Sequence, residues 1–258
     1  MDHDYKNIKV NYTINGNGPA LLLLHGLLED STMWEPFIEV LSAHHCVICI
    51  DLLGHGKTDC LGYIHTMEAM AEAVVSVLEH QTIKKVKIIG HSMGGYVALA
   101  LAEAHPALIS ALVLMNSTFE ADSEERKLLR TQAIATAKKH YKRLVQLSFA
   151  NLFAAESRTR FKEAYTDALK IALKTTRKGF IAAQEGMKER PNRLEIFEQI
   201  NGKTAIVVGR KDTLIDRKGL KYAIRNTNAV WLELSEGHMS HIENKSELSY
   251  FLKHFIEN

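Results

Sequence analysis

The chain has 258 residues, of which 46% are hydrophobic and 24% charged, with a formal net charge of +2. That length holds one domain with a large core, or a domain carrying an insertion, and the near-neutral balance leaves no footprint for nucleic acid or an anionic membrane. No run of about 18 apolar residues marks a membrane span. Met1 to Lys9 is too polar for a signal peptide, and the odd set of thiols, Cys46, Cys49 and Cys60, fits a reducing compartment, so a cytoplasmic protein is expected.

Ile8 to Ile14 alternates weakly and meets the turn Asn15-Gly16-Asn17-Gly18-Pro19. Ala20 to Leu24 reads as a buried central strand. Thr32 to Ser42 reads as a helix, with Trp34, Phe37, Ile38 and Leu41 on one face. Cys46 to Ile50 is the next strand. It contains a literal C-x-x-C, but residues three apart on a strand face opposite sides, so Cys46 and Cys49 are expected in the core rather than at a metal. Thr66 to His80 is helical. A strand, Val86 to Ile89, precedes a turn and the helix former Tyr96 to Ala102, and Leu112 to Met115 is a further strand. Alternating strands and helices predict an α/β fold with a mostly parallel sheet flanked by helices.

From Phe119 to Ile200 the pattern is almost wholly helical. Asp122 and Glu125 suggest a capping box. Phe161, Ala164, Tyr165, Ala168, Leu169, Ala172 and Leu173 make one apolar stripe. Lys138 to Arg143 reads as a solvated basic face, and Pro191 closes the last clear helix. The sheet pattern resumes over Thr204 to Val208 and Ala229 to Leu234, and Lys245 to Ile256 forms a terminal helix. The expected division is a core of residues 1–118 and 201–258, interrupted by a helical cap of residues 119–200.

Gly90-His91-Ser92-Met93-Gly94 is a G-x-S-x-G between a strand and a helix, a setting that presents the serine hydroxyl on a sharp turn. Such a hydroxyl needs a base, a third group to orient that base, and N–H donors where charge develops on the attacked carbonyl. His238 follows the last strand, at the carboxyl edge where open α/β sheets hold their sites. His241 is its rival, and His91 is expected to turn its ring away from the hydroxyl. Asp212, just after Val207-Val208-Gly209, is preferred to Asp216 as the orienting acid. The oxyanion donors would be the backbone N–H groups of Met93 and of Leu27, with His25 bracing the latter's loop. Gly56-Lys57-Thr58 mimics the end of a P-loop, but Asp51 stands where its first glycine would be, so that block reads as a structural turn.

The order Ser92, Asp212, His238 and four sequence blocks carry a resemblance to the α/β-hydrolase superfamily over nearly the whole chain. The blocks are His25-Gly26, Asp51-Leu52-Leu53-Gly54-His55-Gly56, the serine turn with Gly94-Gly95, and Gly237 to Glu243. Leu53 departs from the family, which usually carries proline there. The resemblance implies an eight-stranded sheet with its second strand antiparallel, a lid inserted after the sixth strand, and no metal or organic cofactor. With Gly186-Met187 and Arg190-Pro191, the lid is similar to those of carboxylesterases and 3-oxoadipate enol-lactonases. The expected activity is therefore cleavage of a small carboxylic ester through an acyl-enzyme on Ser92. Lactonase, thioesterase, C–C bond hydrolase and 2-succinyl-6-hydroxy-2,4-cyclohexadiene-carboxylate synthase activities use the same triad. A ligand receptor or signalling protein is the alternative of another class. Leu28, Phe119, Phe149, Phe153 and Met187 are the pocket candidates, and Arg130, Arg143 or Arg158 would favour an anionic substrate. The expected partner is a small ester or acyl compound, with neither nucleic acid nor membrane, bound by a monomer or homodimer.

Overall fold

Apolar runs that are buried on both faces build the centre of this molecule. In the computed structural model, which describes residues 1–257, β3 of the sheet (Ala20–Leu24) lies between β4 (Cys46–Ile50) and β5 (Val86–His91), parallel to both. Leu22 and Leu24 join one hydrophobic cluster and Leu21 and Leu23 the other, as period-two alternation requires. Cys46 and Cys49 likewise face opposite clusters as free thiols, and burial pushes Cys49 up to about 12.

The sheet has eight strands in the order β1-β2-β4-β3-β5-β6-β7-β8. β1 (Asp2–Tyr5) and β2 (Ile8–Asn15) lead in, and β6 (Ile109–Met115), β7 (Lys203–Gly209) and β8 (Val230–Leu234) complete it. β2 is antiparallel to both its neighbours, and the pairs from β4 to β8 are parallel. β1 carries no strand pattern in Asp-His-Asp-Tyr. Its register with Ile8–Asn11 makes it a strand, and its polar side chains suit an edge.

Helices cover both faces. α1 (Glu35–Ser42) lies on one, and α2 (Met67–His80) and α3 (Met93–Ala104) on the other. The helix expected from Thr32 begins instead as a 3-10 turn, Ser31–Trp34, capped by Asp30, and α1 starts beyond it with Pro36 in its first turn. That proline lacks the N–H an uninterrupted helix would use.

Between β6 and β7 run α4 (Glu124–Ala150), α5 (Ser157–Arg160), α6 (Lys162–Ala172), α7 (Arg177–Glu189) and α8 (Leu194–Glu198). α4 breaks at His140, where φ is −139° and ψ is 47°. The expected capping box is absent. Ser123 caps α4 by accepting the Arg126 N–H, because three guanidinium groups draw the Asp122 carboxylate inward. The stripe of α6 packs through Tyr165, Ala168 and Leu169 on Phe149, Phe153 and Phe180, a cluster separate from the sheet's two. α7 meets the core closely: His65 N–H donates to the Ala182 carbonyl, and a Cβ on Gly186 would overlap the His65 carbonyl oxygen. α9 (Arg217–Ala223), α10 (Ser240–Glu243) and α11 (Lys245–Glu257) close the chain. No helix among the described residues is long and apolar enough to cross a membrane.

Candidate active site

β5 ends at His91 and α3 begins at Met93, leaving Ser92 alone at the corner with φ 50° and ψ −115°. A non-glycine residue in that region is strained and persists only where its surroundings hold it. Here its N–H donates to Met115 O at 2.9 Å, and its carbonyl accepts from Ser117 Oγ at 2.7 Å. The glycine spacing is a packing requirement, since a Cβ on Gly90 would lie 2.6 Å from the backbone of Gly94.

The loops after β7 and β8 bring two further side chains to this corner. His238 Nε2 is 2.9 Å from Ser92 Oγ, and its Nδ1 is 2.7 Å from Asp212 Oδ2. Asp212 also accepts Leu214 N–H at 2.8 Å and Asn116 Nδ2–H at 3.1 Å. Burial opposes its charge, but His238 and the Asn116 and Leu214 hydrogen bonds hold the carboxyl below its ordinary range. An ionised Asp212 fixes the proton on Nδ1, so Nε2 presents a lone pair to the Ser92 hydroxyl. Asp216 lies elsewhere, capping α9 through Gly219 N–H. Asn116, which no sequence motif marks, sits just beyond β6 with φ 47°.

His25 braces its loop as expected, with Nδ1 2.7 Å from Gly26 O and Nε2 accepting Leu52 N–H at 2.9 Å. The N–H groups of Leu27 and Met93 have no protein acceptor among the described residues. The Asp51 block is a turn tied by its carboxylate, which accepts from Asn11 Nδ2, Ser31 N–H and Lys57 N–H. Both ring nitrogens of His91 are engaged away from Ser92, by Glu29 and by the His238 carbonyl. Glu29, His91 and His241 offer ligand atoms within 4.8 Å of one another. They are packed as an ion pair with a neighbouring imidazole, since His91 Nδ1 lies against Glu29 Oε2 at 2.7 Å.

Ser92 and His238 open onto a cavity of about 580 Å³. Leu27, Leu28 and Met187 line it, whereas three other pocket candidates do not. Phe119 packs on Phe197 against the sheet, and Phe149 and Phe153 pack on Tyr165 within the helical block, because large aromatics gain most where they are fully dehydrated. The block contributes apolar Leu129, Leu152, Phe180 and Met187 together with polar Arg126, Arg130 and Gln184. Arg130 and Arg190 bind the buried Asp122, and Arg190 stacks 4.0 Å over the Tyr96 ring. Arg143 and Arg158 stand outside this lining. The block is also spliced to the His238 loop: His238 N–H donates to Leu152 O at 2.9 Å, and the Glu243 carboxylate accepts both Ala154 N–H at 2.9 Å and Met239 N–H at 3.0 Å.

Residues 19–245 match a family model described as alpha/beta hydrolase fold. The chain superposes on a malate-bound thermophilic esterase from Thermogutta terrifontis with a TM-score of 0.91 and 25% identity, covering 97% of this chain and 93% of that one. An enol-lactonase from Burkholderia xenovorans LB400 gives a TM-score of 0.92 at 22% identity, covering 100% of both chains. The uncharacterized protein Rv2715 of Mycobacterium tuberculosis is 36% identical over 115 residues, which is 45% of this chain and 33% of that protein, so the match spans about a third of that relative.

Proposed function

This chain belongs to the alpha/beta hydrolase family, and from that premise we propose that it cleaves small carboxylic esters through an acyl-enzyme on Ser92. The observation that carries this reading is the unbroken hydrogen-bond chain Ser92–His238–Asp212, with distances of 2.9 and 2.7 Å. His238 takes the hydroxyl proton as Ser92 Oγ attacks the ester carbonyl, and the resulting oxyanion is held by Leu27 N–H and Met93 N–H. Asp212 stabilises the imidazolium. His238 then gives its proton to the departing alcohol, and water, activated by the same histidine, releases the acid. Each oxyanion donor is worth roughly 10²–10³ in rate. The helical block of residues 119–200 serves as a lid whose inner surface selects the acyl group.

Arg126 and Arg130 on that surface favour an acyl chain ending in a carboxylate. Three guanidinium groups surround one buried anion, Asp122, and exceed it and the exposed Glu125 by one positive charge, while Glu29, also at the cavity, is matched by His91. The malate bound to the similar Thermogutta esterase supports a dicarboxylic type of ligand. The likeness to an enol-lactonase supports a cyclic ester as the second substrate type.

Turnover of p-nitrophenyl acetate and butyrate, with labelling of Ser92 by a fluorophosphonate, tests the hydrolase reading, and Ser92→Ala should abolish both. Absence of turnover and labelling in the wild-type protein refutes it. Hydrolysis of mono-p-nitrophenyl pimelate with a lower KM than its neutral methyl ester, lost in Arg126→Gln, is the result expected of a cationic lid wall.

A further inference from the structure

Glu29 and His91 take no part in the proposed reaction, yet their side chains are only 5% and 1% exposed beneath the serine turn. Two acceptors face the His91 ring. Nδ1 lies 2.7 Å from Glu29 Oε2, and Nε2 lies 3.0 Å from the main-chain carbonyl oxygen of His238. A carbonyl has no proton to give, so Nε2 must carry one. The Nδ1···Oε2 contact requires a second. Oε2 also accepts Gly26 N–H at 2.7 Å, which favours the ionised carboxylate and leaves that second proton on the ring. His91 is therefore an imidazolium. Removing a proton would turn a bare lone pair toward either a carboxylate or a carbonyl oxygen, both of which repel it.

These contacts connect the two loops that flank Ser92. On one side, Glu29 holds Gly26 N–H, and its own N–H donates to Gly26 O at 3.3 Å, where His25 Nδ1 also binds. The Gly26–Leu27 peptide is trans, so pinning its carbonyl aims the Leu27 N–H in the opposite direction. On the other side, His91 holds the carbonyl of His238 itself. Gly26 has no side chain to spare here: a Cβ would stand 2.6 Å from Glu29 Oε2 and 3.1 Å from Ser92 Cβ.

We propose that Glu29 and His91 form a charged positioning pair that keeps the Leu27 donor loop and the His238 base loop in register on either side of Ser92. The proposal rests on the serine-hydrolase reading above. Other titratable groups close around the pair: His25 from the donor loop, Asp212 from the loop after β7, and His238 and His241 after β8. His241 Nε2 stands 3.6 Å from Glu29 Oε1, but burial pushes His241 down to about 4, so it is neutral and leaves His91 as the cation. Burial opposes both charges of the pair, and their mutual attraction outweighs it, bringing Glu29 down to about 2 and raising His91.

Two measurements test the pair. In protein carrying ¹⁵N-labelled histidine, His91, assigned by its loss in His91→Gln, should show both ring nitrogens protonated at about pH 7.5. A bare ring nitrogen there overturns the proposal, and this readout needs neither activity nor a folded variant at Glu29. In the second, kcat and KM for p-nitrophenyl butyrate are followed against pH. Glu29→Gln should lower kcat ~10- to 100-fold while changing KM less than about threefold. Its alkaline fall in kcat should begin at lower pH, because an amide no longer retains the ring proton. Glu29→Gln/His91→Gln should be no slower than the worse single variant, as expected for two halves of one device. A folded Glu29→Gln with wild-type kcat and pH profile overturns the proposal. Wild-type protein that shows a doubly protonated His91 but no turnover refutes the hydrolase reading instead, and removes the purpose assigned to the pair.

Discussion

Asp212→Asn tests the roles inferred at the site, because the surroundings dictate which way the new amide turns. Asp212 accepts from three donors: Leu214 N–H, Asn116 Nδ2–H and His238 Nδ1–H. An asparagine has one acceptor oxygen, so one end must present NH₂ to a donor. Turned toward Leu214, the NH₂ meets a main-chain N–H that cannot rotate, at a cost of about 1–3 kcal/mol. Turned toward His238, it meets Asn116, whose side-chain amide can flip and offer its unpartnered Oδ1 at the expense of a long 3.3 Å bond to Gly237 O. The second arrangement is favoured. It makes His238 accept at Nδ1 and carry its proton on Nε2, where it faces Ser92 and cannot act as base. The analogous change in a chymotrypsin-type triad lowers kcat about 10⁴-fold through this wrong tautomer, and a loss of ~10³–10⁴ is expected here, or about 4–5.5 kcal/mol of transition-state stabilisation. The assay is kcat and KM for p-nitrophenyl butyrate, with Asp216→Asn, which alters only a helix cap, as the control. A kcat within about tenfold of wild type for Asp212→Asn, in folded protein, refutes the tautomer argument.

Stability should fall on mild acidification. Burial lowers His55 to about 3 and His65 and His241 to about 4, so the folded chain leaves them neutral where the unfolded chain, with its histidines near 6.5, binds protons. The unfolded state then holds more protons below about pH 6.5, and unfolding free energy should drop toward pH 4 by up to about 4 kcal/mol per pH unit. Urea titrations across that range check it, and a flat profile contradicts the neutral assignment. His91 does not add to this loss, since its raised pKa contributes stability that is complete below about 6.5 and disappears only as pH rises through the folded value. Gly186→Ala should loosen the packing of α7 on the core, because the added Cβ overlaps the His65 carbonyl; a destabilisation of about 1–3 kcal/mol is expected by thermal unfolding, and a wild-type midpoint refutes the contact.

The juxtaposition of Ser92, His238 and Asp212 was legible because the three positions come with punctuation. Gly90 and Gly94 flank Ser92, Gly209 precedes Asp212 by three residues, Gly237 adjoins His238, and each acts at the carboxyl end of a strand that periodicity reveals. The helical block between β6 and β7 resisted the same reading. Hydrophobicity pointed to Phe119, Phe149 and Phe153, yet the same property buries them in cores, while the cavity is lined by other apolar residues such as Leu152 and Phe180 and by two arginines that look like ordinary surface residues. Asp122 resembled a cap residue because its burial among three guanidinium groups from positions 126, 130 and 190 is a tertiary event. Glu29 carries no motif in the sequence, and only its distance from His91 explains it.

The helical block and the loop after β8 are spliced together. Leu152 O binds the N–H of His238 itself, and Glu243 grips Ala154 and Met239 with one carboxylate. The stretch from 151 to 154 is thus tied to the loop that carries His238, whereas the break at His140 in α4 lies outside these bonds. Separating residues 151–154 from the loop after β8 would break the Leu152–His238 hydrogen bond and free the backbone of the base, so the position of His238 depends on the helical block staying docked there.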